Sequence, residues 1–228
     1  MNWFEKLHQT FIVGDRYMWL VEGLINTLII TFGALLIGVV IGAIIAIVKY
    51  FCEGNKKLRI FNWICDFYTT VIRGIPVTVL LCIFFFVIFA SARNGIPVAI
   101  VAFGINSGAY MAELIRSGIN AVDKGQMEAA RSLGMSKGQA MAKIIFPQAI
   151  KNILPAIGNE CIALLKETSV AGYIAVSDVT RAAVNIRNKT FDAVNSYVVL
   201  ALIYLVIVVI MTKLLAVLEK RLNRSEKK

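Results

Sequence analysis

Residues 23–48 read GLINTLIITFGALLIGVVIGAIIAIV, a run of 26 residues that contains no charged side chain. An α-helix rises about 1.5 Å per residue, so this run exceeds the roughly 20 residues that a helix needs to cross a bilayer. Three further uncharged runs of 19, 19 and 20 residues occupy positions 74–92, 94–112 and 193–212. Each is long enough for one transmembrane helix, so the sequence predicts an all-α multispanning membrane protein.

The composition of the whole chain agrees with this prediction. Of its 228 residues, 58% are hydrophobic and 17% are charged, and the mean hydropathy is +0.74. A soluble domain usually has about 45–50% apolar and about 25% charged residues, so a single globular core cannot bury the apolar residues of this chain. The composition therefore argues against a cytosolic enzyme.

The positive charges are distributed unevenly between the apolar runs. The net charge of +10 would also suit a nucleic-acid-binding protein. However, three alternate segments, which include Lys56, Lys57, Lys227 and Lys228, hold 16 Lys and Arg, whereas the other three hold 6. Positively charged connections stay in the cytoplasm. We therefore expect the N-terminus outside the cell and the C-terminus in the cytoplasm, which requires an odd number of spans.

An odd number requires one span besides the four uncharged runs, and it must lie between residues 153 and 176. This stretch is interrupted by Glu160, Lys166 and Glu167, but without it the charge alternation would fail. We therefore expect a single transmembrane domain over residues 1–228. Its five core helices are predicted at about 20–48, 60–91, 95–117, 153–176 and 193–217.

The chain has no G-x-x-x-x-G-K-[ST] phosphate-binding loop and no H-E-x-x-H metalloprotease motif. We therefore expect neither catalytic residues nor ATP hydrolysis in this chain. Cys52, Cys65, Cys82 and Cys161 lack C-x-x-C spacing, and we expect no metal site. Energy for transport must then come from an ion gradient or from a separate ATPase.

The connection at 119–150 is longer than a link between two spans needs to be, and long ordered connections are usually functional. Asp123 and Gln126 predict a capping box at the start of a helix, and Gly134 suits its left-handed C-terminal position. A second box, Ser136 with Gln139, predicts another helix. Two short helices joined by a glycine turn are therefore expected.

Pro147 interrupts the helical spacing of the second helix, which would end the hairpin there. One interpretation is an amphipathic hairpin that rests on the lipid surface. Another is a DNA-binding helix-turn-helix, because Ala130-x-x-x-Gly134 has that spacing. The second helix offers only Lys137 and Lys143 as cations, and spans tether it on both sides, so we expect no nucleic-acid partner.

The hairpin also carries a family pattern. Residues 128–130 are Glu-Ala-Ala, Gly134 follows after three residues, Ile144 after nine more, and Phe146-Pro147 after one more. This resembles the EAA signature of ABC-transporter permeases, E-A-A-x3-G-x9-I-x-L-P, at six of its seven fixed positions. Phe146 stands where the family pattern has leucine. The stretches IRGIP at 72–76, YMAE at 110–113 and LPAIGNE at 154–160 resemble those of polar amino-acid permeases.

The resemblance implies a type I importer fold and a membrane subunit that moves a polar or charged amino acid across a bacterial cell membrane. It also implies two cytoplasmic ATPase subunits that bind ATP and Mg²⁺, a second permease subunit that is identical or similar, and an extracellular solute-binding protein. An ATPase would dock on the hairpin, with Glu128 and Arg131 paired at its rim. The implied coupling residues are Glu128, Ala129, Ala130, Gly134, Ile144 and Pro147.

Glu160 and Glu167 are seven residues apart, which places both carboxylates on one face of a helix. With Pro155 as the first helical residue, Glu160 lies about 8 Å and Glu167 about 18 Å along that helix. A charge within a span costs about 2.5–3.5 kcal/mol on insertion, so it usually faces a cavity or a partner. Glu160 is therefore our candidate for binding a substrate ammonium group, whereas an internal ion pair remains the alternative for Lys166.

Six other polar residues complete the predicted substrate path: Arg73, Asn106, Ser107, Asn159, Thr168 and Ser169. Gly74 and Pro76 should break the helix beside Arg73, and broken helices in transporters border the substrate path. Snorkelling to the membrane edge is the alternative for Arg73. Ser and Thr in spans often bond their own backbone instead of a ligand.

The main rival function is a secondary carrier or channel that an ion gradient drives through Glu160, Lys166 and Glu167. A carrier would not need the EAA-like hairpin. Dependence of uptake on an ATPase therefore distinguishes the two functions.

Overall fold

The computed structural model describes residues 2–52 and 58–224, and the regular structure within these residues is entirely helical. Lys56, Lys57, Lys227 and Lys228, which contribute to the charge alternation, lie outside the described residues. The α-helices of the described ranges are α1 Trp3–Leu7, α2 Tyr17–Cys52, α3 Arg59–Gly74, α4 Val77–Ile83, α5 Gly95–Asn120, α6 Lys124–Ser132, α7 Lys137–Ala140, α8 Phe146–Glu167, α9 Val179–Thr190 and α10 Ala193–Arg224.

Three of these helices are long and apolar enough to cross a membrane: α2, α5 and the Ala193–Leu222 part of α10. The predicted span at 60–91 is a broken one, because α3 and the helix that begins with α4 meet at an angle of 104°. Ile75 has an extended backbone and Pro76 has no N–H to continue the helical hydrogen bonds. The predicted break at Gly74 and Pro76 is therefore confirmed.

The prediction that Pro155 is the first residue of its helix is wrong. Helix α8 begins at Phe146 and runs to Glu167, where 3₁₀ turns over Thr168–Ile174 continue the chain. Pro155 lies inside the helix and not at its first position. Pro147 instead occupies the second position of α8, directly after the π turn over Met141–Ile145. Because α8 begins nine residues before Pro155, Glu160 and Glu167 lie further from the start of their helix than the distances counted from Pro155.

Helices α2 and α5 pack against each other almost backbone to backbone. A Cβ added at Gly38 would lie 2.7 Å from Ser107 Oγ, and one added at Gly42 would collide with Met111 Cβ. In return, Gly104 of α5 faces the Ile37 side chain of α2. Small residues allow this close approach, which lets van der Waals contacts hold two helices together in lipid, where the hydrophobic effect between them is weak.

We expect Gly42→Ala to lower the free energy of unfolding by about 1–3 kcal/mol. The added methyl group would meet Met111 Cβ and the Ala112 backbone, and these atoms can move away only if the backbone of α5 shifts. Thermal unfolding of the purified protein in detergent measures this effect. Gly158→Ala is the matched control, since its methyl group would meet only the Leu215 side-chain end, which can rotate. An equal decrease in the unfolding midpoint for both variants would contradict the expectation.

Helix α9 lies against the N-terminal end of α2. The Asn26 side-chain amide donates to Ser177 O at 2.9 Å, and the Val179 N–H donates to Thr27 Oγ1 at 3.2 Å. The hairpin formed by α6 and α7 lies at the other end of α2, where Lys137 Nζ is 5.1 Å from the Tyr50 ring centroid. The two features therefore mark opposite ends of the helix bundle.

The N-terminal segment is joined to the start of α10 by polar contacts around Asp192. Thr10 Oγ1 donates to Asp192 Oδ2 at 2.9 Å, and Asn195 Nδ2 donates to the same oxygen at 2.6 Å. The Trp3 indole donates to Asn195 Oδ1 at 3.1 Å. Burial of Asp192 opposes its charged form, but the hydrogen bonds from Asn195 and Thr10 outweigh this effect and lower its pKa below the ordinary value.

Candidate functional site

The first helix of the hairpin begins as the sequence predicts but with one different bond. Asp123 Oδ1 accepts from the Gly125 N–H at 2.7 Å, so Asp123 caps α6. The predicted box with Gln126 is wrong, because Gln126 Oε1 instead accepts from Gln148 Nε2 at 3.3 Å. This longer-range bond links the first helix of the hairpin to the beginning of α8.

The turn between the two helices is the predicted glycine turn. Gly134 has φ +85°, and the Met135 N–H returns to Ala130 O at 3.2 Å, the bond expected at a left-handed helix end. The capping box at the start of α7 is also confirmed. Ser136 Oγ accepts from the Gln139 N–H at 3.2 Å, and Gln139 Oε1 accepts from the Ser136 N–H at 2.9 Å.

Ser136 also lies in a G-x-S-x-G spacing, Gly134 to Gly138, which resembles the nucleophile turn of hydrolases. That motif requires a strand before the serine and a histidine beside it. Here Ser136 follows a helix, its hydroxyl caps α7, and the single histidine of the chain, His8, lies in the N-terminal segment. The local geometry is therefore that of a helix cap.

The hairpin exposes an apolar tip. Leu133 is 84% exposed, and Glu128 and Ala129 are also exposed. Two other coupling-region residues have their own surroundings within the chain. Ala130 is only 4% exposed, so it packs inside the chain. The Arg131 guanidinium donates to Met135 O at 2.8 Å across the turn, and it has no ion pair with Glu128 among the residues that the structure describes.

The second helix of the hairpin continues into α8 without a break. A π turn over Met141–Ile145 connects α7 to α8, and Pro147 does not interrupt the helical path as the sequence suggested. Ile144 is half-buried and Pro147 is exposed. The Gln148 side-chain amide donates to Ile144 O at 3.0 Å across this junction. One continuous helical path therefore joins the hairpin to α8.

Helix α8 carries the carboxylate that the sequence singled out. Ser107 Oγ of α5 donates to Glu160 Oε1 at 3.4 Å. Ser107 itself is fully buried against Gly38 of α2, whereas Glu160 is half-buried. The structure thus brings together Glu160 and Ser107, two residues of the predicted path that are 53 positions apart. A half-buried carboxylate with one weak hydrogen bond keeps acceptor capacity for a cationic ligand.

The other residues of the predicted path have different surroundings. Asn106 is 3% exposed, and its side chain has no hydrogen bond within the described ranges. Asn159 is exposed and donates to Pro155 O at 3.2 Å, and buried Thr168 donates to Leu165 O at 2.7 Å. Both side chains therefore bond the backbone of their own segment, which for Thr168 is the alternative given for Ser and Thr in spans. Ser169, beyond the end of α8, is half-buried.

Arg73 lies beside α5 one turn beyond Ser107. Its guanidinium is 5.2 Å from the Tyr110 ring centroid, and Nη1 lies 4.0 Å from Glu113 Oε2. Arg116 Nη2 approaches the same Glu113 oxygen at 3.9 Å. The sequence did not identify Glu113 and Tyr110 as partners of Arg73, although their spacing of three residues on a predicted helix indicates a shared face.

Lys166 and Glu167 lie at the end of α8. Lys166 is exposed and has no ion pair within 4 Å among the residues that the structure describes. The internal ion pair considered for Lys166 is therefore wrong within these residues. Glu167 is half-buried and lies seven residues after Glu160 within α8, which places both residues on one face of that helix.

The sequence matches a described family over most of its length. The family described as binding-protein-dependent transport system inner membrane component matches residues 38–224. The arginine transport system permease protein ArtQ of Bacillus subtilis (strain 168) is 38% identical over 211 residues, which cover 91% of this chain and 94% of ArtQ. The putative glutamine transport system permease protein GlnP of Rickettsia bellii (strain RML369-C) is 37% identical over 212 residues, with coverage of 91% and 94%.

Two solved structures have the same fold. A chain from the crystal structure of an amino acid ABC transporter with histidines is 42% identical and has a TM-score of 0.83, covering 92% of this chain and 98% of that chain. A chain of the inward-facing MetNI methionine ABC transporter has a TM-score of 0.78 at 20% identity, with coverage of 90% and 97%, which supports the fold alone. The chain belongs to the binding-protein-dependent transport system inner membrane component family and is a multi-pass permease subunit of an ABC importer.

Proposed function

We propose that this permease imports a polar or charged amino acid and that Glu160 receives the substrate's ammonium group. The observation that carries the proposal is the half-buried Glu160 carboxylate between α5 and α8, bonded only to Ser107 at 3.4 Å within the described residues. Every free amino acid carries an α-ammonium group, and a charge-assisted hydrogen bond to a carboxylate is about twice as strong as a neutral one. Arginine, glutamine and histidine in the names of the relatives are all polar amino acids.

The energy for import comes from partner subunits in this proposal. Two cytoplasmic ATPase subunits bind ATP and Mg²⁺, and this chain hydrolyses none. Each ATPase receives one hairpin, because two ATPase domains that close on each other need one docking helix each. A second permease, identical or similar to this chain, supplies the other hairpin. An extracellular solute-binding protein delivers the amino acid. The family description, which refers to binding-protein-dependent transport, supports this last partner.

The shape of the hairpin supports its role as the docking element. Leu133 projects from the glycine turn with 84% of its surface exposed, whereas Ala130 behind it is buried and supports the turn. An exposed apolar side chain on a rigid, well-capped turn is suited to a partner's groove. The continuous helical path through Met141–Ile145 into α8 then carries ATPase closure to the helix that bears Glu160.

The orientation follows from the charge alternation. The N-terminus lies outside and the C-terminus in the cytoplasm of a bacterial cell, with the hairpin on the cytoplasmic side of the inner or plasma membrane. Alternate segments with 16 and 6 Lys and Arg support this arrangement.

Reconstitution tests the proposal against an ion-driven carrier or channel. The liposomes contain this permease, its co-purified ATPase and permease partners, and the solute-binding protein. We expect them to accumulate radiolabelled L-arginine or L-histidine only when ATP is present on the side of the membrane where the ATPase subunits lie. Accumulation should persist when ionophores collapse the Na⁺ and H⁺ gradients. Uptake without any ATPase, or uptake that ionophores abolish, would support the carrier and contradict the proposal.

A further inference from the structure

A cavity of about 450 Å³ lies between the 3₁₀ turns that follow α8 and the first turns of α9. Its wall includes Ser169, Gly172, Tyr173, Thr180, Arg181 and Val184. The volume falls within the roughly 300–1,000 Å³ that small-molecule sites usually have. It is therefore large enough for a free amino acid.

The cavity is at the end of the bundle opposite the hairpin. The first residues of α9 contact the beginning of α2, because a Cβ added at Gly23 would lie 2.7 Å from Asp178 O. The hairpin contacts Tyr50 near the other end of α2. Gly23 and Tyr50 are separated by 27 residues of one helix, or about 40 Å. In the orientation proposed above, the cavity faces the outside of the cell.

Arg181 provides a free positive charge in this cavity. Its backbone N–H donates to Asp178 Oδ1 at 3.0 Å, but its exposed guanidinium has neither a hydrogen bond nor an ion pair within residues 2–52 and 58–224. The stem of the side chain lies against Gly172, where an added Cβ would be 3.5 Å from Arg181 Cβ and 3.6 Å from Cδ. This contact directs the stem along the cavity wall.

The other polar groups around the cavity favour an anion. The side-chain hydroxyls of Ser169 and Tyr173 form no hydrogen bond in the described part of the chain, so both can donate to a ligand. The nearby Asp178 carboxylate does not compete, because Asp178 is fully buried and accepts the N–H groups of Thr180 and Arg181. The available groups are one guanidinium and two hydroxyls, which match a carboxylate.

We propose that this cavity is an outer receiving site in which Arg181 binds the α-carboxylate of the amino acid before the substrate reaches Glu160. The inference depends on the proposed function. Ser169 lies nine residues beyond Glu160 on the same continuous segment, about 13 Å away along the helix. The carboxylate and ammonium groups of an amino acid are attached to the same carbon, so in this proposal the carboxylate binds at Arg181 and the ammonium at Glu160 one after the other.

Cysteine protection in the complete transporter tests this site without measuring transport. Val184→Cys places a thiol in the cavity wall, and the anionic reagent sulfonatoethyl methanethiosulfonate labels it; the parent chain with its four native cysteines gives the background rate. We expect L-arginine and L-histidine to slow labelling, whereas agmatine and histamine, which lack the carboxylate, do not. In Arg181→Gln the protecting concentration should rise at least about tenfold, as expected for a lost charged hydrogen bond.

Two variants control for charge and for folding. Arg181→Lys keeps the charge and should retain part of the protection, although a lysine cannot make the paired contact. Arg187→Gln removes an arginine from the same helix whose guanidinium already donates to Asn188 Oδ1 and Tyr197 OH, so it should leave protection unchanged. Unaltered protection in Arg181→Gln, or equal protection by the decarboxylated amines, would overturn the receiving site.

The failure of this inference can be distinguished from failure of the proposed function. ATP-driven uptake without amino-acid protection of Val184→Cys rejects the receiving site alone. The absence of ATP-driven uptake in the unmodified complex rejects the proposed function and, with it, the receiving site that depends on that function. If Arg181→Gln weakens binding of the solute-binding protein and leaves protection unchanged, Arg181 is a protein contact and the receiving site is rejected.

Discussion

Gly134→Asp is expected to reduce ATP-driven uptake at least about tenfold while the chain still inserts and folds. No atom lies within 4 Å of a Cβ added at Gly134, so the variant introduces no collision. Its cost is a left-handed backbone, of roughly 1–2 kcal/mol, and a negative charge next to the exposed Leu133. A charge that loses water at the centre of a docking surface weakens binding strongly.

The measurement compares ATP hydrolysis by the partner ATPase with amino-acid uptake in liposomes, and membrane insertion is checked separately. Gly138→Asp is the matched control: it adds the same charge to the same hairpin at a helical position with open space around it, so the turn is kept and the loss should be smaller. Leu133→Ala is a second variant, since its side chain is 84% exposed and contributes little to folding. Uptake at the parent rate in both Gly134→Asp and Leu133→Ala would remove the hairpin from the coupling mechanism.

Glu160→Gln is expected to raise the amino-acid concentration that half-maximally stimulates ATP hydrolysis about 10- to 100-fold. Loss of a hydrogen bond between charged groups costs about 1.5–3 kcal/mol, which corresponds to that range. The fold should persist, because the amide oxygen of the introduced glutamine can still accept the Ser107 hydroxyl. A panel of L-arginine, L-histidine and L-glutamine in the reconstituted complex provides the measurement.

The panel also identifies which ammonium or side-chain group Glu160 recognises. An equal shift for all three amino acids assigns Glu160 to the α-ammonium group, whereas a shift for the cationic substrates alone assigns it to the side chain. Glu167→Gln is the matched control, with the same chemistry two turns further along the same helix. If Glu160→Gln leaves the half-maximal concentration unchanged for every amino acid, Glu160 does not bind substrate.

The sequence predicted the features that depend on local chemistry. Uncharged runs identified α2, α5 and α10 because the bilayer excludes charge from long segments. Gly74 and Pro76 predicted the broken span, since proline cannot donate the next helical hydrogen bond. The Gly134 turn and the Ser136 cap were predicted for the same reason: each depends on the conformation of a few adjacent residues.

The features that depend on neighbouring helices were not predicted. Helical periodicity indicates which residues share a face but not which element covers it, so the burial of Ala130 was missed. The bond between Ser107 and Glu160 joins positions 53 apart, and Arg73 meets Glu113 through the packing of α3 on α5. The sequence wrongly predicts a helix start at Pro155, because propensity alone cannot show that packing sustains a helix through a proline.

The close glycine packing between α2 and α5 has a consequence for how the transporter changes shape. With Gly38 against Ser107 and Gly42 against Met111, the two helices are in close contact over more than one turn, and we expect them to move together as one unit. We expect bending where such contacts are lacking, as at Gly74, which ends α3 and where an added Cβ would meet no atom within 4 Å. Alternation between outward and inward openings then depends on how the other helices move relative to the α2–α5 pair.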